Sequence, residues 1–112
     1  MKKTSSIETI KSELIKSCIN YDTKSFIPFL MSDNVITEMP NKMRFYRFFK
    51  KMVNCTKQSS ERPLSTKIEN EVTNINQRIY NLNFYDKIHK YSRLSFEITE
   101  SKESIYLDIL PF

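Results

Sequence analysis

The stretch RIYNLNFYDKIHKYSRLSFEITESKESIYLDIL, residues 78–110, alternates apolar and polar side chains, and its reading decides the fold. Tyr80, Leu82 and Phe84 share one face of a first strand, Leu94, Phe96 and Ile98 one face of a second, and Ile105, Leu107 and Ile109 one face of a third. A period of two is that of a strand with one buried face. Register tests the assignment, because side chains directly opposite each other must share a face. A turn around His89 sets Leu82 against Phe96 and Phe84 against Leu94. A turn at Ser101-Lys102 sets Ile98 against Ile105, Phe96 against Leu107 and Leu94 against Ile109. A further strand, LSTKIENEV (64–72), carries Leu64, Ile68 and Val72 on one face. A turn at Asn74-Ile75-Asn76 brings Ile68 opposite Leu82, with an Asn tolerating the left-handed position.

Three separately chosen turns thus give the apolar rows Ile68–Leu82–Phe96–Leu107 and Thr66–Phe84–Leu94–Ile109. The expected sheet is a four-stranded or slightly larger antiparallel meander with one face covered. Its opposite face reads Asn81–Glu97–Tyr106, Asn83–Ser95–Asp108 and Tyr85–Arg93–Leu110. That face is too mixed for one that meets only water, and a homodimer through it is expected.

The first half reads helical. In TSSIETIKSELIKSCINYD, Ser5 and Glu8 have capping-box spacing, and Ile7, Ile10, Leu14, Cys18 and Tyr21 recur every three or four residues. Asp22 or Thr23 caps a short second helix, KSFIPFLM, and NVITEM (34–39) is a short extended piece. Pro40 introduces the next helix. Its start, KMRFYRFFKKM (42–52), mixes four aromatic rings with five cations. At 100° per residue, Phe45, Tyr46, Phe48, Phe49, Met52 and Val53 fall within an arc of about 160°, and Arg44, Arg47, Lys50 and Lys51 within a separate arc of about 120°. A single-stranded nucleic-acid platform needs rings and cations on one surface. This helix separates them, so its rings belong to the core and nucleic acid is not the expected partner. The cations still form a basic patch: residues 41–57 hold six of the 18 basic side chains and no acid.

The layout is therefore α+β, with N-terminal helices packed on one face of a curved sheet. The 112 residues read as one domain, a helical half over about 5–57 and a sheet half over about 64–110. Glycine is absent, which excludes Walker loops and dinucleotide turns, since both need a backbone with no Cβ near a phosphate. The basic start has no apolar run behind it, and no run approaches the length of a membrane span. Cys18 and Cys55 stand far apart, without CxxC spacing. Together these features predict a cytoplasmic protein with reduced thiols and no membrane contact.

The order of elements resembles the nuclear transport factor 2-like superfamily, in which a curved sheet wraps a long helix in an α+β cone. The most similar stretch is residues 29–53: Phe29-Leu30 at a helix end, Ser32-Asp33, the extended Val35-Ile36-Thr37-Glu38, Pro40, then Phe45 and Phe48-Phe49. Members usually carry Gly near the Pro turn and between strands, and this chain has none. A cystatin-like layout, one helix on a meander, is the related alternative. The resemblance implies a cavity between helices and sheet, lined by Phe26, Phe29, Phe49, Tyr80, Phe84 and Phe96. It implies no single reaction, since members include isomerases, dehydratases, cyclases and targeting modules.

Candidate chemistry is sparse. His89, the one histidine, sits beside Asp86 and Tyr91 in a turn, where it reads as a general base or as a solvated turn residue. Asp33, Glu38 and Asp108 are acids at the rim of the implied cavity. Each also has a plainer reading: Asp108 as the cross-strand partner of Arg93, Glu38 as a solvated acid. One His and two scattered Cys do not meet zinc spacing, so no metal or cofactor is expected. The function these features favour is a non-enzymatic binding or protein-interaction module, homodimeric. The competing reading is an isomerase-, dehydratase- or cyclase-like enzyme, or a carrier, for a small apolar ligand in the cavity.

Overall fold

Ile68 faces Leu82, Leu82 faces Phe96 and Phe84 faces Leu94, so the first two hairpins have the expected register. The computed structural model describes residues 4–59, 64–74 and 77–110, with backbone only for 69–74. Val72 and the tip at residues 75–76 therefore lie outside the described side chains. The elements are α1 (Ile7–Ile19), a 3-10 turn (Lys24–Phe26), α2 (Ile27–Leu30), β1 (Val35–Thr37), α3 (Lys42–Ser59), β2 (Ser65–Asn74), β3 (Gln77–Tyr85), β4 (Leu94–Glu100) and β5 (Ile105–Ile109).

The sheet is five-stranded and mixed, in the order β1-β5-β4-β3-β2. Strands β2 to β5 form the antiparallel meander. β1 adds to its far side, parallel to β5, with Val35 opposite Ile105 and Thr37 opposite Leu107. Five strands lie within the expected four-stranded or slightly larger sheet, but the parallel pairing of β1 corrects its all-antiparallel character. The extended piece at 34–39 is a strand of three residues, too short for its own periodicity to show, and Ile105 N–H anchors it by donating to Asn34 O at 2.8 Å. The third hairpin is also corrected. Its connection spans Ser101–Ser104, closed by Ser101 N–H on Ser104 O at 2.9 Å. Phe96 therefore meets Ile109 and Ile98 meets Leu107, two residues from the expected register. A slip of two preserves every inward and outward assignment and changes only the rows.

The inner face is sealed by helices. Ile10, Leu14 and Cys18 of α1 and Phe49 and Val53 of α3 are fully buried, as are Leu82, Phe84, Leu94, Phe96 and Ile98 of the sheet. Ile68 shares the inward parity yet is 44% exposed, because β2 is an edge strand. Four rings run through the centre in edge-to-face contact: Phe26 on Phe49 at 5.7 Å, Phe49 on Phe96 at 5.7 Å, and Phe96 on Phe84 at 5.9 Å. That geometry sets the positive edge of one ring against the negative face of the next.

Local chemistry sets the helix ends. The cap of α1 is Ser6, whose Oγ accepts from Thr9 N–H at 3.2 Å. Ser5, the expected cap, instead ties the chain start to the β1 approach, donating its N–H to Asn34 Oδ1 at 3.0 Å. At the other end Tyr21 takes a left-handed φ of 54°, while Asp22 N–H reaches Ser17 O and Tyr21 N–H reaches Cys18 O. This is a Schellman closure with tyrosine in the position glycine usually fills. Thr23 precedes the 3-10 turn without a side-chain cap. α3 starts two residues after Pro40, where Asn41 Oδ1 accepts from Met43 and Arg44 N–H at 2.9 and 3.3 Å. Its faces separate as the 100° layout requires: Phe45, Tyr46, Phe49 and Val53 are buried, while Arg44, Arg47, Lys50 and Lys51 are exposed.

Candidate functional site

The parallel ladder pairs Thr37 with Leu107, so the next residues, Glu38 and Asp108, leave it side by side. The antiparallel register sets Glu97 across from Asp108. Three acids thus stand in one row on the outer face, continued by Asn81. The carboxyl of Glu38 stands close enough to that of Asp108 for a hydrogen bond whenever one of the two carries a proton. That bond, followed by the negative charge of Asp108, lifts the Glu38 carboxyl above its ordinary range, and the charge of Glu97 adds to the effect. A pocket of about 300 Å³ adjoins the pair, lined also by Met39, Phe45, Phe48 and Ile109. The expected Arg93–Asp108 pair does not form, because the register slip places Glu97 at Asp108 and Arg93 turns to Asp86.

That second cluster lies where the β3–β4 connection docks on the end of α3. Asp86 is buried. Its Oδ1 accepts from Ile88 N–H at 3.1 Å and His89 N–H at 2.7 Å, and its Oδ2 lies 2.7 Å from His89 Nδ1. A carboxylate there fixes the proton on Nδ1 and leaves Nε2 as the outward nitrogen. Arg93 Nε stands 4.0 Å from Asp86 Oδ2, while the guanidinium donates to Tyr91 Oη at 3.1 Å and to Ser59 Oγ at 2.5 Å. Thr56 Oγ donates to Met52 O at 3.0 Å and approaches Arg93 O at 3.4 Å. A pocket of about 420 Å³ opens here, lined by Met52, Cys55, Thr56, Ser59, Tyr91 and Arg93.

The four candidate catalytic residues do not converge. Glu38 and Asp108 come together. His89 lies at the opposite end of α3: Phe45 and Ser59, which mark the two clusters, are separated by about 20 Å at 1.5 Å per residue. Asp33 is exposed near Lys42, whose Nζ donates to Ser32 O at 2.8 Å. Partial burial lowers the pKa of Lys42, and the charge of Asp33 opposes that shift.

Of the six rings expected to line a cavity, Phe26, Phe49, Phe84 and Phe96 are fully buried and contact one another. Tyr80 is buried, with Lys11 Nζ 4.3 Å from its ring centre and its hydroxyl donating to Glu100 at 3.3 Å. Phe29 is half-buried, 6.4 Å from Phe26. The basic residues Arg44, Arg47, Lys50 and Lys51 point away from these rings and form no ion pair among the described residues. Among the described residues no trio of His, Cys, Asp or Glu is arranged to hold a metal, and no helix is long and apolar enough to cross a membrane.

The outer sheet face carries one feature that sequence reasoning misses. Ile36 faces Tyr106, Tyr106 faces Thr99, and Thr99 faces Ile79, a row crossing four strands. Ile36 and Tyr106 are 39% and 45% exposed. The row depends on β1 joining β5 and on the slipped third register, so alternation alone could not reveal it. The role of Glu97 escaped for the same reason, and those of Arg93 and Ser59 because they depend on where the β3–β4 connection meets the end of α3. The D-x-x-H spacing of Asp86 and His89 was the one legible signal. Comparison with protein-family models, with curated proteins and with solved structures found no match.

Proposed function

We propose that this chain is a non-enzymatic binding module with a nuclear transport factor 2-like α+β cone, and that it acts as a homodimer through the outer face of its sheet. The order of helices, short strand, Pro turn, Phe-rich helix and meander supports the family reading. The interlocked rings support a protein that binds by its surfaces, since they occupy the space a central ligand would need. Two unpaired thiols suit a reducing cytoplasm.

The row Ile36–Tyr106–Thr99–Ile79 carries the proposal. A two-fold axis lying along this row sets apolar side chains on apolar side chains. It also places the Glu38–Asp108–Glu97 row of each copy over the neutral side of the other, near Ser101 and Ser104. An axis along the strands would set acid on acid, at a cost like that of any like-charge juxtaposition. Size-exclusion chromatography with light scattering, at micromolar concentration, is expected to return twice the chain mass. A strict monomer there overturns the proposal.

A second reading, an enzyme or carrier for a small apolar molecule, is favoured by the Glu38–Asp108 carboxyl pair on the wall of the pocket that Phe45 and Phe48 also line. Its test is whether a small apolar ketone or alcohol shifts the NMR signals of Phe45 and Phe48. No shift at millimolar concentration removes it.

A further inference from the structure

We propose that the solvent face of α3 docks in the major groove of duplex DNA. This names a partner for the binding module proposed above, and it rests on that reading but not on dimerisation. Between Met43 and Gln58 every exposed residue of the helix is basic, an amide, Met or Cys, and none is acidic. The cations are uncompensated: the side chains of Arg44, Arg47, Lys50, Lys51 and Lys57 make no ion pair or hydrogen bond among the described residues. α1 is built differently, with Lys11 on Glu8 at 3.1 Å and Lys16 on Glu13 at 3.6 Å. On α3, Arg47 stands three or four residues from Arg44, Lys50 and Lys51, the spacings at which like charges repel along a helix. Its first turn adds Lys42 and no acid, at the end where the helix dipole disfavours cations. A bound polyanion relieves each of these repulsions.

The arrangement selects the polyanion. With Arg47 as the centre line, Asn54 and Gln58 fall within about 20° of it at 100° per residue. Lys50 and Lys57 fall about 60–80° to one side, and Lys51 and Arg44 about 40–60° to the other. Amides and one guanidinium thus run along the middle, with a pair of cations on each flank. The DNA major groove, about 12 Å wide, admits one α-helix, sets a phosphate strand along each flank and offers base edges along the centre. There Arg reads guanine, and Asn and Gln read adenine, through paired hydrogen bonds. Arg47, Lys50, Lys51, Asn54 and Gln58, with Cys55, line an open depression of about 340 Å³, room for phosphate oxygens and base edges to enter. The rings of α3 point to the core, which excludes a single-stranded stacking platform but not a duplex. Duplex RNA fits worse, because its major groove is too deep and narrow for side chains to read. An acidic peptide would satisfy the flanks and leave the amide strip without a purpose.

A short labelled DNA duplex is the probe, followed by fluorescence anisotropy with the intact chain. Affinity is expected to fall about a hundredfold between about 50 and 200 mM salt, as four phosphate contacts require. The RNA duplex of the same sequence, and polyglutamate of equal charge, are expected to bind at least tenfold more weakly. Lys50→Gln with Lys51→Gln removes one cation from each flank, and is expected to weaken low-salt binding at least tenfold and to reduce the loss over that salt range to about tenfold. Its melting temperature should be unchanged or higher, since both side chains are exposed and unpaired. In NMR of the parent chain, DNA is expected to shift Arg47, Asn54 and Gln58 together with the flanking cations. No binding at low salt, equal binding of the RNA duplex or of polyglutamate, an unaltered salt dependence in the double variant, or shifts confined to other elements would each overturn the site. Because α3 packs on the inner side of the sheet, away from the outer-face row, failure here leaves the dimer proposal standing.

Discussion

Tyr106 stands beside Ile36 across the parallel ladder between β5 and β1, and both side chains face outward with more than a third of their surface in water. If this pair is the centre of the dimer, Tyr106→Lys places a cation where the partner's own Tyr106 must pack. The expected result is at least a tenfold weaker dimer by light scattering, since central aromatic residues dominate interface energy. Ile68→Lys, equally exposed but on the edge strand's other face, should leave the dimer intact.

Phe96 touches both Phe49 and Phe84 edge to face. Phe96→Ala should cost about 3–5 kcal/mol in urea denaturation, the usual range for an emptied aromatic site. Phe29→Ala, at a half-buried ring, should cost less than half as much.

The neighbourhood of Asp108, which lifts the Glu38 carboxyl, sets a pH dependence. The folded state holds the Glu38 proton more tightly than the unfolded chain does. This contribution to stability is therefore complete below the ordinary glutamate range and is lost as pH rises through the lifted value. Glu38→Gln should melt higher than the parent near pH 7, with the gap closing as pH falls into the ordinary glutamate range. A gap that does not change with pH would contradict the lift on Glu38.

Asp86 holds the β3–β4 connection by two backbone N–H groups and the His89 ring. Asp86→Ala leaves part-buried donors without their acceptor and should cost about 1–3 kcal/mol in chemical denaturation. His89→Ala removes one of these bonds and should cost less.

The two thiols should differ in native-state labelling. Burial pushes the Cys18 thiol far up, away from thiolate formation, whereas Cys55 is exposed. A disulfide-exchange reagent should titrate Cys55 quickly and Cys18 only on unfolding.

Alternation is a local property, and it made the inward faces of β3, β4 and β5 legible before any coordinates. It gave the parity of Asp108 and Glu97 but not their adjacency, because a hairpin two residues longer keeps every face and changes every neighbour. The pairing of β1 with β5 joins segments some seventy residues apart in the chain, and three residues of strand carry no period that could announce it. The separation of rings from cations on α3 was legible because helical geometry alone dictates it. The clamp of Arg93 on Ser59 was not, since it depends on where the β3–β4 connection meets the helix end.

The position of β5 between β1 and β4 has a consequence for biosynthesis. β1 leaves the ribosome early but has no partner until residues 105–109 emerge, and it then gains one on its parallel side. Until that moment one edge of β4 lacks its neighbour, and the carbonyl of Asn34 lacks the Ile105 N–H it accepts. The nascent chain must therefore carry an incomplete sheet until residues 105–109 emerge, and their pairing closes both open edges in a single event. A stop codon placed just before Ile105 should yield a product recovered in the insoluble fraction rather than a shortened soluble one.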